Sequence, residues 1–196
     1  MSAHPEQPPL ESITTATTAL AEESDAVAAT PSLPREIQLP SGLLEDLRAI
    51  AGAEALETAG RRAGTWLAAA LGEVLATENL AQAPTQAFWD ALGEILRGRG
   101  WGRLRQERVH SGLGVVVAEE WMETGSAAAP GCPFTVGLLA ALFEDVAGAP
   151  VAVLETACEG RGEEECRFVF GSEAAVRELR ARLEDGVSEE AALAGF

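Results

Sequence analysis

The chain is 196 residues long, enough for one full-sized domain with its own core but short for two. Its net charge of −17 argues against a nucleic acid or an anionic lipid surface as partner, since both require a basic patch. Hydrophobic residues make up 47% and charged residues 23%, and no apolar run reaches the about 18 residues a membrane helix needs. The start of the chain lacks the basic opening and apolar middle of a signal peptide, so a cytoplasmic location is expected. All 14 basic residues are arginine, with no lysine and no tyrosine, which reads as compositional bias of a GC-rich genome and weakens any argument from arginine alone.

Residues 1–40 hold six of the ten prolines and no aromatic residue. Such a segment buries too little apolar surface to offset its ordering entropy, so a disordered or loosely attached tail is expected there. From Ser41, a plausible cap, Leu43, Leu44, Leu47 and Ile50 recur at helical spacing. A second helix carries Ala59, Ala63, Trp66, Leu67, Ala70, Leu71, Val74 and Leu75 on one stripe. Gly60 and Gly64, four apart inside it, suggest close approach of another backbone, and a homodimer through this helical half is expected. Pro84-Thr85 opens a third helix whose Phe88, Trp89, Leu92, Ile95 and Leu96 face inward.

Gly98 and Gly100 end that pattern, and Trp101 to His110 and Val115 to Trp121 read as strands. Phe134, Gly137, Leu138, Ala141, Leu142 and Val146 restore a helical period that stops at Gly148-Ala149-Pro150. Val151 to Thr156 and Cys166 to Phe170 alternate as strands, and a charged helix runs from about Glu173 to Leu183. Residues 186–196 read as a C-terminal tail. The fold class expected is α+β: N-terminal helices on a small antiparallel sheet, with a crossover helix and a C-terminal helix.

There are three cysteines, all between residues 132 and 166, an odd number that fits a disulfide framework poorly. Strand alternation puts Glu155 on the face of Val151 and Val153, and Cys166 on the face of Phe168 and Phe170. If these strands pair as a hairpin, the Glu159–Glu165 loop is short enough to bring Cys158 and Cys166 to one point. Cys132 starts the preceding helix, where exposed amides favour a thiolate. Three thiolates and a carboxylate would suit tetrahedral zinc. Spacing alone leaves both zinc and three small buried hydrophobes open, and does not single out Glu155 among so many acidic residues.

The stretch Gly131-Cys132-Pro133-Phe134, Gly137, Gly148, Leu154-Glu155-Thr156-Ala157-Cys158 and Cys166-Arg167-Phe168 resembles the C-terminal half of the 4-vinyl-reductase, or hydrocarbon-binding, domain. Glu57 to Gly64 and Gly100-Trp101-Gly102 are similar to its glycine-containing helix and the start of its first strand, so the resemblance covers about residues 41–185. That domain also forms the sensory part of phenol- and xylene-responsive activators. The resemblance implies a zinc ion held by Cys132, Glu155, Cys158 and Cys166. With four protein donors and no open position, such an ion is structural, not catalytic. Arg161 and Arg167 could balance the anionic complex.

The family also implies an apolar or aromatic ligand between helices and sheet, with Phe88, Trp89, Trp101, Val117, Trp121, Phe134 and Leu138 as lining residues, although aromatics at such spacing are most often plain core. The sensors' ligand-holding His and Trp have no clear match, because the segment between His110 and Trp121 is too short. Only His4 and His110 are present, and neither a nucleophilic constellation nor a phosphate-binding glycine loop stands out, so catalysis has little support. The expected function is a zinc-stabilised ligand-binding or sensory module. Its rivals are an enzyme or assembly factor acting on tetrapyrrole vinyl groups, and a scaffold of the kind found in vesicle-tethering TRAPP subunits, which have a similar fold.

Overall fold

The computed structural model describes residues 40, 42–107, 112–123 and 130–196. The stretch 1–39, the cap expected at Ser41 and the strand residues 108–110 lie outside the described residues. Within them, six helices and four strands form an α+β fold: α1 (Gly42–Ala51), α2 (Ala53–Val74), α3 (Thr85–Gly98), β1 (Arg103–Gln106), β2 (Leu113–Glu119), α4 (Pro133–Ala147), β3 (Ala152–Ala157), β4 (Cys166–Gly171), α5 (Glu173–Glu184) and α6 (Glu189–Leu193).

The sheet is antiparallel throughout, in the order β1-β2-β4-β3. Helix α4 is therefore the expected crossover, carrying the chain from β2 past β4 to the far edge. Alternation divides the strands between two cores. Val116, Ala118, Val153, Cys166 and Phe168 face α2, α3 and α4, together with Leu67, Leu71, Leu92, Leu96, Leu138 and Leu142. Leu113, Val115, Val117 and Val169 face the other way, against Val176 and Leu179 of α5 and Ala192 and Leu193 of α6. Both faces of β2 are covered, so all of Leu113 to Ala118 is buried and its Val-Val-Val run shows no polar alternation.

The seam between α2 and α4 is made of glycines. A Cβ on Gly60 would lie 2.0 Å from the Phe134 carbonyl oxygen, one on Gly64 2.3 Å from that of Leu138, and one on Gly137 2.0 Å from that of Glu57. The close approach inferred from Gly60 and Gly64 is real, but the partner is α4 of the same chain. These glycines are thus not available as a dimer contact. The apolar stripe is rotated accordingly: Leu56, Gly60, Gly64, Leu67, Ala68, Ala70 and Leu71 are buried, whereas Trp66 is 57% and Val74 63% exposed. In α1 no residue is buried, and Ile50 is 83% exposed. Residues 186–196 are not featureless: Ser188 accepts a hydrogen bond from the Ala191 amide and opens α6, whose Ala192 and Leu193 complete the second core.

Candidate metal centre

The cluster assembles where three elements meet. Cys132 is the residue before Pro133 at the start of α4, Glu155 and Cys158 stand near and just beyond the end of β3, and Cys166 opens β4 opposite Ala118. One ligand atom from each of the four lies within 4.8 Å of all the others. The Cys132 sulfur is 3.9 Å from that of Cys158 and 3.8 Å from that of Cys166. Two sulfurs bound tetrahedrally to zinc at about 2.3 Å stand about 3.8 Å apart, so the spacing fits such an ion. All three thiols are fully buried and unpaired as disulfides.

The polar accounting points the same way. Glu155 Oε2 accepts a hydrogen bond from the Cys132 amide at 3.1 Å, with the Arg161 guanidinium 3.7 Å away. Glu155 Oε1 is buried and has no hydrogen-bond partner. An orphaned buried carboxylate oxygen costs about 1–3 kcal/mol or more, a cost that a cation at the centre would remove. The thiols are strongly coupled. Hydrogen bonding to Cys166 and burial push the Cys132 thiol far above its usual range, and burial with the Glu155 charge pushes Cys158 up. The hydrogen bond from Cys132 pushes Cys166 down. Three soft donors and one carboxylate enclosed in this way can hold a metal ion, and zinc suits the set.

Of the two arginines expected to balance the charge, Arg161 does stand beside Glu155. Arg167 does not: it lies on the outer face of β4 and pairs with Glu107, Glu165 and Glu189. Period-two alternation turns residue 167 away from Cys166 and Phe168. Glu165 joins that outer network through Arg105 as well, so it is more than a solvated turn residue.

Six of the seven pocket candidates share the core on the metal-centre side of the sheet. Phe88, Trp121 and Leu138 are buried in it, and Trp89, Trp101 and Phe134 pack against it. Val117 is turned to the opposite face, against α5 and α6, because it sits one residue out of phase with Val116 and Ala118. An open groove of about 510 Å³ lies on that opposite face as well, lined by Glu107, Val115, Arg167, Glu189, Glu190, Leu193 and Ala194, and none of the seven lines it. His110 lies outside the described residues.

Sequence reasoning missed Glu123. The chain turns at Glu120, which takes a positive φ of 50°, and so directs Trp121 and Glu123 inward. The Glu123 carboxylate is 6% exposed and receives hydrogen bonds from the amides of Phe134 and Thr135 and from the Thr135 hydroxyl, at 3.0, 2.7 and 2.8 Å. Burial pushes its carboxyl above the usual range, against the pull of those donors. The only sequence signal was an acidic residue shortly before a helix start, lost among 31 acidic side chains.

Comparison with known proteins places these features. No curated protein sequence matches the chain. Among solved structures, the phenol-responsive sensory domain of the transcription activator PoxR with phenol is similar at a TM-score of 0.57 and 18% identity, over 70% of this chain and 77% of that one. A vinyl-4-reductase family protein from Methanocaldococcus jannaschii matches at 0.47 and 17%, over 70% and 82% of the two chains. A trafficking protein particle complex subunit 3 from Naegleria fowleri, covalently bound to palmitic acid, matches at 0.47 and 13%, over 67% and 86%. The PoxR likeness establishes the shared fold. The vinyl-4-reductase domain family matches residues 116–172. All four residues of the cluster lie inside that segment, so the part of the chain that builds the candidate metal centre belongs to the vinyl-4-reductase domain family.

Proposed function

We propose that this chain is a zinc-stabilised module that binds a small apolar or aromatic molecule, working as a cytoplasmic homodimer. The observation that carries the reading is the buried Cys132, Glu155, Cys158 and Cys166 cluster, with ligand atoms within 4.8 Å and one carboxylate oxygen unpartnered. Four protein donors leave no open position for water or substrate, which favours a structural ion. The ion would pin the start of α4 to the β3–β4 hairpin and contribute its binding energy to folding.

The ligand half of the proposal is supported by the family match and by the shared fold of a domain described as phenol-responsive. The candidate lining is Phe88, Trp89, Trp101, Trp121, Phe134 and Leu138, which gather in one apolar core between α3, α4 and the sheet. A paired state is supported by the apolar side chains left on the outer helices, Ile50, Trp66 and Val74, and no longer by the glycines. Among the described residues no helix is long and apolar enough to cross a membrane.

Mass spectrometry under native and denaturing conditions tests all three parts together. The expected result is one zinc per chain, a doubled native mass and a bound small molecule, with phenol as the added probe. Stoichiometric zinc together with unchanged stability in Cys166→Ser would remove the metal assignment. Phenol binding unaffected by Leu138→Trp in a folded protein would remove the pocket assignment.

A further inference from the structure

Resting on the metal-centre reading, we propose that Glu123 is a positioning residue for that centre, and that Trp121, Thr135 and Glu123 form a buried hydrogen-bonded link from the helix–sheet core to Cys132. The indole nitrogen of Trp121 donates to the Thr135 hydroxyl at 2.7 Å. That hydroxyl donates to the Glu123 carboxylate at 2.8 Å. The Glu123 main-chain oxygen in turn accepts from the Cys132 thiol at 2.6 Å. All four residues are buried, at 3%, 0%, 6% and 0% exposure, so no water competes for these bonds. A bound metal ion replaces that thiol proton, and the link then runs through the first turn of α4.

The link acts on geometry through this turn. Cys132 stands at the cap position but makes no side-chain cap bond, so its sulfur is left to face the cluster. Its neighbour Pro133 has no amide proton, and the next two amides are the orphan donors of this helix end. Glu123, arriving from the β2 side, takes both of them, at Phe134 and Thr135. The cap duty is thereby moved from Cys132 to a remote carboxylate, and the first turn of α4 is clamped while Cys132 points at Cys158 and Cys166. A carboxylate is the favoured group at a helix N-terminus, which offsets part of its burial cost. Trp121 sits at the other end of the link and belongs to the core that also holds Leu138 and Phe88. A change in packing around the indole therefore reaches the first turn of α4, and Cys132 with it, through Thr135 and the Glu123 clamp.

Three variants of the full chain test the link: Glu123→Gln, Thr135→Val and the conservative Thr135→Ser. Zinc affinity is read by competition with a chelator, and the ligand set by the thiolate-to-metal absorption of the cobalt-loaded protein. Partners of this kind typically change metal affinity by about 10- to 100-fold. The expected result is a roughly tenfold or greater loss for Glu123→Gln and Thr135→Val, with an altered cobalt spectrum, and near-complete rescue in Thr135→Ser. Melting of the metal-free protein is measured in parallel, and a loss of metal-free stability with zinc affinity and cobalt spectrum unchanged overturns the proposal. So does equal weakening in Thr135→Ser and Thr135→Val, which would reflect packing and not the hydroxyl. Failure of the wild-type chain to take up zinc or cobalt overturns the metal-centre reading and this proposal with it, an outcome distinct from tight binding that Glu123→Gln leaves untouched.

Discussion

Replacing Gly60 by alanine puts two opposed effects on one residue, and the structure decides between them. Gly60 is in the interior of α2, where alanine is the better helix former by about 1 kcal/mol. The added Cβ, however, would sit 2.0 Å from the Phe134 carbonyl oxygen and 2.8 Å from its carbon, where ordinary contact begins at 3.4 Å. Both neighbours are main chain, so no side chain can swing aside. The two helices must separate by about 1.4 Å, the difference between 3.4 and 2.0 Å. A gap of that size removes much of the dispersion contact along the seam, including that of Leu67, Leu71, Leu138 and Leu142. Overpacking usually costs about 1–3 kcal/mol and more where the backbone must move. After subtracting the helix gain, we expect a net loss of about 2–4 kcal/mol, against a total of about 5–15 kcal/mol for a domain. In thermal unfolding that corresponds to a midpoint lower by about 5–15 °C. Gly93 in α3 is the control: a Cβ there meets nothing within 4 Å, and Gly93→Ala should stabilise by about 0.5–1 kcal/mol. Wild-type or greater stability in Gly60→Ala would refute the assignment of this seam to the α2–α4 contact within one chain.

Chelation of the zinc-loaded protein should lower its melting temperature, and Cys166→Ser should lower zinc content and melting temperature together, both followed by calorimetry with metal analysis. Leu179→Ala, which empties a fully buried position between α5 and the sheet, should cost about 2–5 kcal/mol in urea unfolding while leaving zinc affinity within a few-fold of wild type. The Glu107 carboxyl is held below the ordinary glutamate range, chiefly by the hydrogen bond from Arg167. Its contribution is therefore present at neutral pH and lost as pH falls from the ordinary glutamate range through the lower folded value, so Glu107→Gln should flatten that part of the acid stability profile. Trp66→Glu and Ile50→Glu should convert a dimer to a monomer in light scattering without lowering the melting temperature of the monomer, since both side chains are exposed.

The parts of the fold that were readable from the residues are those where apolarity and burial coincide. Phe88, Leu92 and Leu96 point inward from α3 as their spacing predicts, and Gly148 ends α4 in the left-handed conformation expected of it. The α2 stripe was misjudged because its buried face is lined by Gly60 and Gly64, which carry no apolar signal, while Trp66 and Val74 carry a strong one and lie outside. Gly137 on α4 was the reciprocal clue, since only another backbone would need glycines on both helices. The short α6 had its sequence marker in Ser188 followed by two glutamates, but a five-residue helix has too little periodicity to be seen. The four clustered residues were legible through family resemblance more than through spacing. Glu155 could not be told from its acidic neighbours until the structure showed one of its oxygens buried without a partner.

The position of α4 explains why one short segment does so much. Its C-terminal half is locked to α2 by the glycine seam and by the Arg61–Glu144 ion pair, and Glu144 also accepts from the Val151 amide. Its N-terminal turn is held instead by polar contacts, with Glu123 on one side and the Glu155 carboxylate on the Cys132 amide. Apolar packing fixes the axis of the helix, but only the polar turn fixes where the Cys132 sulfur stands relative to Cys158 and Cys166. Packing forces are non-directional, whereas a tetrahedral site tolerates errors of only a few tenths of an ångström. The precision of the centre must therefore come from the hydrogen bonds around Glu123 and Glu155, and not from the core that surrounds them.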